Sequence, residues 1–264
     1  MAMNHVTVHQ LYTGSQLRNF TYIVESSHKH LYIIDPWDGA EVLAFASDHS
    51  GLIKGIINTH EHWDHTKGNE EIVKKTQCAV YTHPRGKGKV PEANCFPEEG
   101  DKIKISDKAY FEILDTPGHT FAHLCFVLVE EGNPLGIFTG DTLFNAGVGN
   151  CHNGGDPEVL FETIQSKFGA LSDDLIVYPG HEYLGNNLKF TLDREPSNLK
   201  AKEWLETYQS INWEKSPVTT TLKDEKEINT FFRLGQKEIR ERLPGEPQTD
   251  KETFLKLRSK RNDW

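Results

Sequence analysis

The chain has 264 residues, 36% hydrophobic and 26% charged, which suits a soluble protein built as one large domain or a domain with a smaller appendage. A net charge of −10 argues against non-specific nucleic-acid binding and gives no general attraction to acidic membranes. Cys78, Cys95, Cys125 and Cys151 form no Cys-x-x-Cys pair, which favours a reducing compartment over a disulfide framework. No apolar run approaches the roughly 18 residues of a membrane span, and residues 1–6 do not open a signal peptide, so a cytoplasmic location is expected.

Short runs rich in β-branched and aromatic residues, at 6–12, 19–25 and 30–34, predict strands separated by turn formers. Val42, Phe45 and Ala46 recur at helical spacing within 41–49. The apolar run 51–57 predicts a buried strand. Asn69 is expected to cap a helix to Thr76, with Glu70 and Glu71 in its first turn. Further strands are expected at 78–82, 102–105, 110–114, 124–129, 135–139 and 174–178, with a basic turn at 84–88. Asp156-Pro157 opens a helix through Leu171. Beyond Glu182 the character changes, and helices are expected at 184–193, 199–208 and 225–243. The division is therefore residues 1–183, of mixed strand and helix, and 184–264, helical.

The densest chemistry is Thr59-His60-Glu61-His62-Trp63-Asp64-His65, directly after the 51–57 strand. Loops at strand ends are where a rigid scaffold displays reactive groups. In extended chain His60 and His62 share a face and can grip one ion, while Asp64 and His65 can face a second. Core packing asks for no such run of ligand-type residues. Three later strands end the same way, in Gly118-His119, Gly140-Asp141 and Gly180-His181. Each of these alone reads as a hydrogen-bonded surface residue, but the repetition points to a shared centre. Only five of the 13 histidines fall in these motifs, and the others need no role.

These residues suffice for two divalent ions. His60, His62 and His119 would hold the first, and Asp64, His65 and His181 the second, with Asp141 bridging. Nitrogen and oxygen ligands without thiolates suit zinc, iron(II) or manganese. Open positions would let a water bridge the ions, with its pKa lowered toward neutrality to give a hydroxide nucleophile that Asp64 positions. That is a hydrolytic site.

At this level the sequence resembles the metallo-β-lactamase superfamily, and within it the hydroxyacylglutathione hydrolases (glyoxalase II). The residues that carry the likeness are Thr59 to His65, His119, 140–144, 179–183, 186–190, Phe231-Phe232-Arg233 and 245–247. The resemblance implies an α/β fold, an αββα sandwich followed by a smaller C-terminal α-helical domain, and a dinuclear metal site. It also implies cleavage of S-D-lactoylglutathione to glutathione and D-lactate, the second step of methylglyoxal detoxification. The partner is then a small-molecule glutathione thioester, with no nucleic acid and no membrane, and a monomer is expected.

By the same resemblance Tyr183, Arg233 and Lys237 bind the glutathione moiety. The segment 233–264 has nine Lys/Arg against six Asp/Glu, a local excess of +3 that can attract an anion. The loop after Asp141 departs from the family, with Asn150 where a lysine is expected and His152 where a tyrosine is expected. Asn150 can donate hydrogen bonds but carries no charge, so another thiol carrier is an open alternative. Cys151 is expected to be a packed, inert thiol. A second alternative is a glutathione persulfide dioxygenase with one iron on His60, His119 and Asp141, which the 83 residues beyond His181 disfavour. A binding protein keeping a structural metal ranks below both, because such sites fill all their positions with protein ligands.

Overall fold

A computed structural model describes residues 6–264, so the opening residues 1–5 lie outside the description. Five strands form the first sheet in the order β1 (Val6–Tyr12), β2 (Phe20–Ser26), β3 (His30–Ile34), β4 (Leu52–Ile57), β5 (Ala79–Tyr81). The first three pair antiparallel, while β3, β4 and β5 run parallel through the crossover helices α1 (Gly39–Asp48) and α3 (Asn69–Thr76). Between β4 and α3 lies one short helix, α2 (Trp63–Thr66).

The second sheet is built from β6 (Lys102–Lys104), β7 (Ala109–Asp115), β8 (Leu124–Glu130) and β9 (Asn133–Gly140), paired in antiparallel succession. A small hairpin follows, β10 (Leu143–Phe144) and β11 (Gly147–Val148), and then α4 (Pro157–Ser166). Asp156 caps α4 through the Glu158 and Val159 N–H groups, with Pro157 in its first turn, as the sequence predicts. Strand β12 (Ile176–Pro179) then pairs parallel to β9.

The strands read as buried because both faces of the sandwich are covered. One apolar layer lies between the sheets, with Phe20, Tyr22, Ile34 and Ile57 against Phe111, Phe126, Leu128 and Phe138. Val42, Ala46 and Ile72 cover the outer face of the first sheet. Leu160, Ile164, Phe231, Phe254 and Leu257 cover the outer face of the second. The architecture is helix, sheet, sheet, helix, an α/β fold with a helical C-terminal part.

That part comprises α5 (Leu184–Arg194), α6 (Leu199–Ser210), α7 (Leu222–Ile228), α8 (Lys237–Glu241) and α9 (Asp250–Asn262). It also adds β13 (Thr220–Thr221), antiparallel to β12 at the edge of the second sheet. The expected helix at 225–243 is two helices. Thr221 starts α7 with a capping box, and beyond Ile228 the Asn229 side chain accepts from the Phe231 N–H in a turn. Asn69 is not a cap either: α3 starts at Asn69 after Gly68, and the Asn69 amide instead donates to Asn58 Oδ1 and Pro91 O. Among the described residues no helix is long and apolar enough to cross a membrane.

Candidate metal centre and carrier pocket

Four loops meet at one end of the sandwich, those after β4, β7, β9 and β12, and they bring together all seven of the metal-type residues named from the sequence. His60, His62 and His119 form one group whose ligand atoms lie within 4.8 Å of one another, and Asp64, His65 and His181 form another. Asp141 sits between them: Oδ2 is 3.5 Å from His119 Nε2 and 3.2 Å from His181 Nε2, and Oδ1 is 3.4 Å from His65 Nε2.

Every imidazole is fixed by its outward nitrogen. His119 Nδ1 lies 2.6 Å from Asn150 O, His181 Nδ1 2.8 Å from Leu17 O, and His62 Nε2 3.1 Å from Asn153 O. A carbonyl can only accept, so these nitrogens donate and their ring partners keep a free lone pair. His65 Nδ1 lies 2.9 Å from Asp35 Oδ2. Thr59 Oγ1 donates to Asp35 and so accepts from His60 Nδ1 at 3.0 Å. The inward nitrogens converge, with His62 Nδ1 3.0 Å from His60 Nε2 and 3.1 Å from His119 Nε2, and His65 Nε2 3.1 Å from His181 Nε2. Outward partners of this kind orient and fix the tautomer of metal-binding histidines.

Charge and burial agree with that use. Burial holds His60 well below the usual imidazole range and pushes His119 down to about 4, so both stay neutral and able to donate a lone pair. His65 is equally buried, but Asp141 and Asp35 outweigh burial and raise it. Burial works against the charge on Asp64 and Asp141, yet both carboxyls are held well below the carboxylate range. For Asp141 the histidines 181 and 65 do this; for Asp64 it is His65 with the Asn19 amide, which donates to Oδ2 at 2.9 Å. Asp141 Oδ1 is buried with no hydrogen-bond partner. Five converging imidazole nitrogens, two ionised carboxylates and an orphaned carboxylate oxygen fit a pair of divalent cations, which would take the place of the proton that the carboxylates draw onto His65.

Gly180 shows how closely the loops pack. A Cβ there would lie 2.4 Å from Asp141 Oδ1 and 2.8 Å from His65 Cε1, so only glycine leaves the carboxylate in place.

The sequence reading did not single out Asp35, Asn19 or His123. His123, fully buried, accepts from the Asp141 N–H at Nε2, which leaves Nδ1–H for the Thr116 and Thr142 hydroxyls. These residues sit behind the ligands, where no motif spacing marks them.

Beside the metal cleft lies a second pocket, lined by Phe144, Asn150, His152, Tyr183, Arg258 and Arg261 among others. Asn150 and Tyr183 line both cavities. Of the substrate residues expected from the sequence, Asn150, His152 and Tyr183 are here. Arg233 and Lys237 are not. Arg233 donates to both oxygens of buried Glu195 at 2.6 and 2.7 Å, which fixes it inside the helical part. Lys237 is exposed on α8, 3.3 Å from Glu241. The cations at the pocket are Arg258 and Arg261, three residues apart on one face of α9. The excess positive charge of the tail was visible in the sequence, but not which helix turned toward the cleft.

A mixed two-sheet sandwich with such a cluster at one end defines the class, a metallo-β-lactamase-fold protein with a metal-binding cleft. The metallo-β-lactamase superfamily pattern matches residues 15–93, and the "Hydroxyacylglutathione hydrolase C-terminus" pattern matches residues 182–264. In fold, the chain resembles ETHE1 from Myxococcus xanthus, with a TM-score of 0.69 and 22% identity over 97% of this chain and 91% of that one. It also resembles TTHA1623, solved in a di-iron-bound form, with a TM-score of 0.58 and 25% identity over 82% of this chain and 96% of that one. In sequence, it is 43% identical to the hydroxyacylglutathione hydrolase of Nitrosococcus oceani, over 97% of this chain and 99% of the relative. The chain belongs to the hydroxyacylglutathione hydrolase family.

Proposed function

We propose that the cleft hydrolyses S-2-hydroxyacylglutathione thioesters to glutathione and a 2-hydroxy acid, with S-D-lactoylglutathione as the reference substrate. The observation that carries this reading is the junction of two cavities at Asn150 and Tyr183: the metal-type cluster floors one, and Arg258 and Arg261 line the other. A thioester of an anionic carrier spans such a junction, with carrier carboxylates toward the arginines and the acyl carbon over the cluster. The division at residue 183 belongs to the same reading, the first part supplying the cluster and residues 184–264 the carrier contacts.

Two divalent ions, which we read as zinc with iron or manganese as alternatives, would supply Lewis acidity for the thioester carbonyl and bring a water's pKa toward neutrality. His60, His62 and His119 would hold one ion and Asp64, His65 and His181 the other, with Asp141 between them. Asp64, anchored by Asn19, stays ionised and able to accept a proton-bearing group beside the acyl carbon. Tyr183 is stacked on His181, and its hydroxyl donates to Leu17 O at 3.0 Å, so it forms a rigid wall between the cavities. Burial pushes the Cys151 thiol up to about 11, which suits packing and not nucleophilic attack. The four cysteines are free, which supports a reducing, cytoplasmic setting, and the thioesterase reading would give the chain a place in methylglyoxal detoxification.

The deciding experiment is steady-state hydrolysis of S-D-lactoylglutathione by metal-replete protein, with a His62→Ala control and a chelated sample. Turnover lost in both controls supports the reading. Absent thioester turnover together with oxygen-dependent consumption of glutathione persulfide would replace it with the dioxygenase alternative, on His60, His119 and Asp141.

A further inference from the structure

Residues 145–150 link the two cavities, and each of them has a backbone group held by a buried side chain. Asn187 Nδ2 donates to Asn145 O at 2.9 Å, and Asn229 Nδ2 donates to Gly147 O at 3.1 Å. Arg258 Nη1 donates to Val148 O at 2.7 Å and to Gly149 O at 3.1 Å. His119 Nδ1 donates to Asn150 O at 2.6 Å. The remaining member, Ala146, donates its N–H to both carboxylate oxygens of Glu225, at 3.0 and 2.9 Å. Four of these five side chains come from the helical part.

Glu225 is the hub of this set. It is fully buried, and among the described residues no cation is one of its hydrogen-bond partners. Instead it accepts from Ala146 N–H, the Thr220 hydroxyl at 2.6 Å and Asn229 Nδ2 at 2.8 Å. Its contact with Asn229 aligns the amide that grips Gly147. Thr220 in turn accepts from Asn145 Nδ2 at 2.7 Å, so a third strand of the network leads back to the same loop. Ala146 has φ of +58°, a left-handed conformation that a residue with a Cβ holds only when its surroundings impose it. The loop also runs close to the cluster: a Cβ at Gly149 would collide with Asp141 O and lie 3.0 Å from His119 Nδ1.

We propose that Glu225 is a positioning residue for the hydrolytic reaction: by holding Ala146, it fixes residues 145–150 in the conformation that walls the carrier pocket and presents the Asn150 carbonyl to His119. The helical part then does more than contribute pocket residues, because it sets the shape of a loop belonging to the sandwich. Glu225 lines neither of the two cavities and is no member of the metal-type cluster, so it acts through that backbone.

The test uses the full metal-replete chain and the variants Glu225→Ala, Glu225→Gln and Asn229→Ala. Its kinetic half rests on the thioesterase reading above; its exchange half does not. Amide hydrogen exchange at residues 145–150 is expected to quicken by about tenfold or more in Glu225→Ala, with strand 124–130 unchanged. KM for S-D-lactoylglutathione is expected to rise about tenfold while kcat stays within about threefold. Glu225→Gln, which keeps one acceptor oxygen for the Ala146 N–H, should fall between wild type and Glu225→Ala in both readouts. Should Glu225→Ala not fold, Glu225→Gln and Asn229→Ala carry the same comparison. Unchanged exchange at 145–150 would overturn the proposal, as would a fall in kcat with KM unmoved, which marks mere loss of folded protein. If wild type does not turn over the thioester, the hydrolase reading fails and exchange alone decides the role of Glu225.

Discussion

His119 Nδ1 donates to the main-chain oxygen of Asn150, so a residue shared by the two cavities fixes a metal-type histidine through its backbone and not its side chain. The Asn150 side chain can therefore change without disturbing the cluster. Asn150→Ala is expected to keep the metal content of wild type while KM for the thioester rises. Metal analysis alongside steady-state kinetics checks this, and a variant that loses metal would contradict it.

Arg261 and Lys237 should behave differently. Arg261 lines the pocket beside the metal cleft and donates to Asn187 Oδ1 at 3.1 Å, whereas the Lys237 side chain is 88% exposed on α8. Arg261→Ala is expected to raise KM about tenfold with little change in kcat, and Lys237→Ala to leave both unaltered. Equal effects in the two variants would return the carrier site to α8.

Arg233 is expected to matter for folding and not for turnover. Its removal leaves Glu195, 3% exposed, without its guanidinium partner. Breaking a buried pair from one side costs about 3 kcal/mol. Denaturant unfolding of Arg233→Ala should show a loss of that order, with kcat and KM per folded molecule unchanged.

Asp35 accepts from Thr59 N–H and the Thr59 hydroxyl and lies 2.9 Å from His65 Nδ1, so it steadies both His60 and His65. Asp35→Asn is expected to weaken metal affinity by about 10- to 100-fold, the usual effect of losing such an outer partner. Competition titration against a chromophoric chelator reads this directly. An unchanged affinity would reduce Asp35 to a loop anchor.

Glu225 also makes stability depend on pH. Burial is the main cause that lifts its carboxyl from 4.5 to about 7; Asp224 adds to the rise, and hydrogen bonds from Thr220, Asn229 and Ala146 oppose it. The folded chain holds this proton more tightly than the unfolded chain does. The stabilisation is thus full below pH 4.5 and is lost as pH rises through about 7, an effect of at most about 3 kcal/mol. Comparing urea midpoints of wild type and Glu225→Gln from pH 5 to pH 8 isolates it, because the amide does not titrate. The gap between the two should shift against wild type as pH rises.

What could be read from the sequence follows from where information is local. The seven metal-type residues each stand just after a strand, so periodicity and glycine placement pointed to them without a fold. Strands such as 6–12 and 30–34 were legible because apolar runs between turn formers are local as well. Asp35, Asn19 and His123 were not, since their roles come from contacts across the chain, as when Asn19 reaches Asp64. Arg258 and Arg261 were hidden differently. The tail has many cations, and only the docking of α9 against α4 decides which of them face the cleft. The break at Asn229 is invisible in the sequence because its cause, a side-chain turn and a bond to Gly147, lies outside helical periodicity.

The two-residue strand Thr220–Thr221 has a consequence for any attempt to take the molecule apart. It lies along the outer side of Ile176–Val177, which would otherwise present bare main-chain donors and acceptors at the border of the six-stranded sheet. A fragment stopping at residue 183 would have that raw border and, beside it, the apolar surface that Phe231, Phe254 and Leu257 cover in the whole chain. Such a fragment is built to stick to copies of itself. Grafting a different tail onto this sandwich therefore means supplying a substitute strand as well as a substitute pocket.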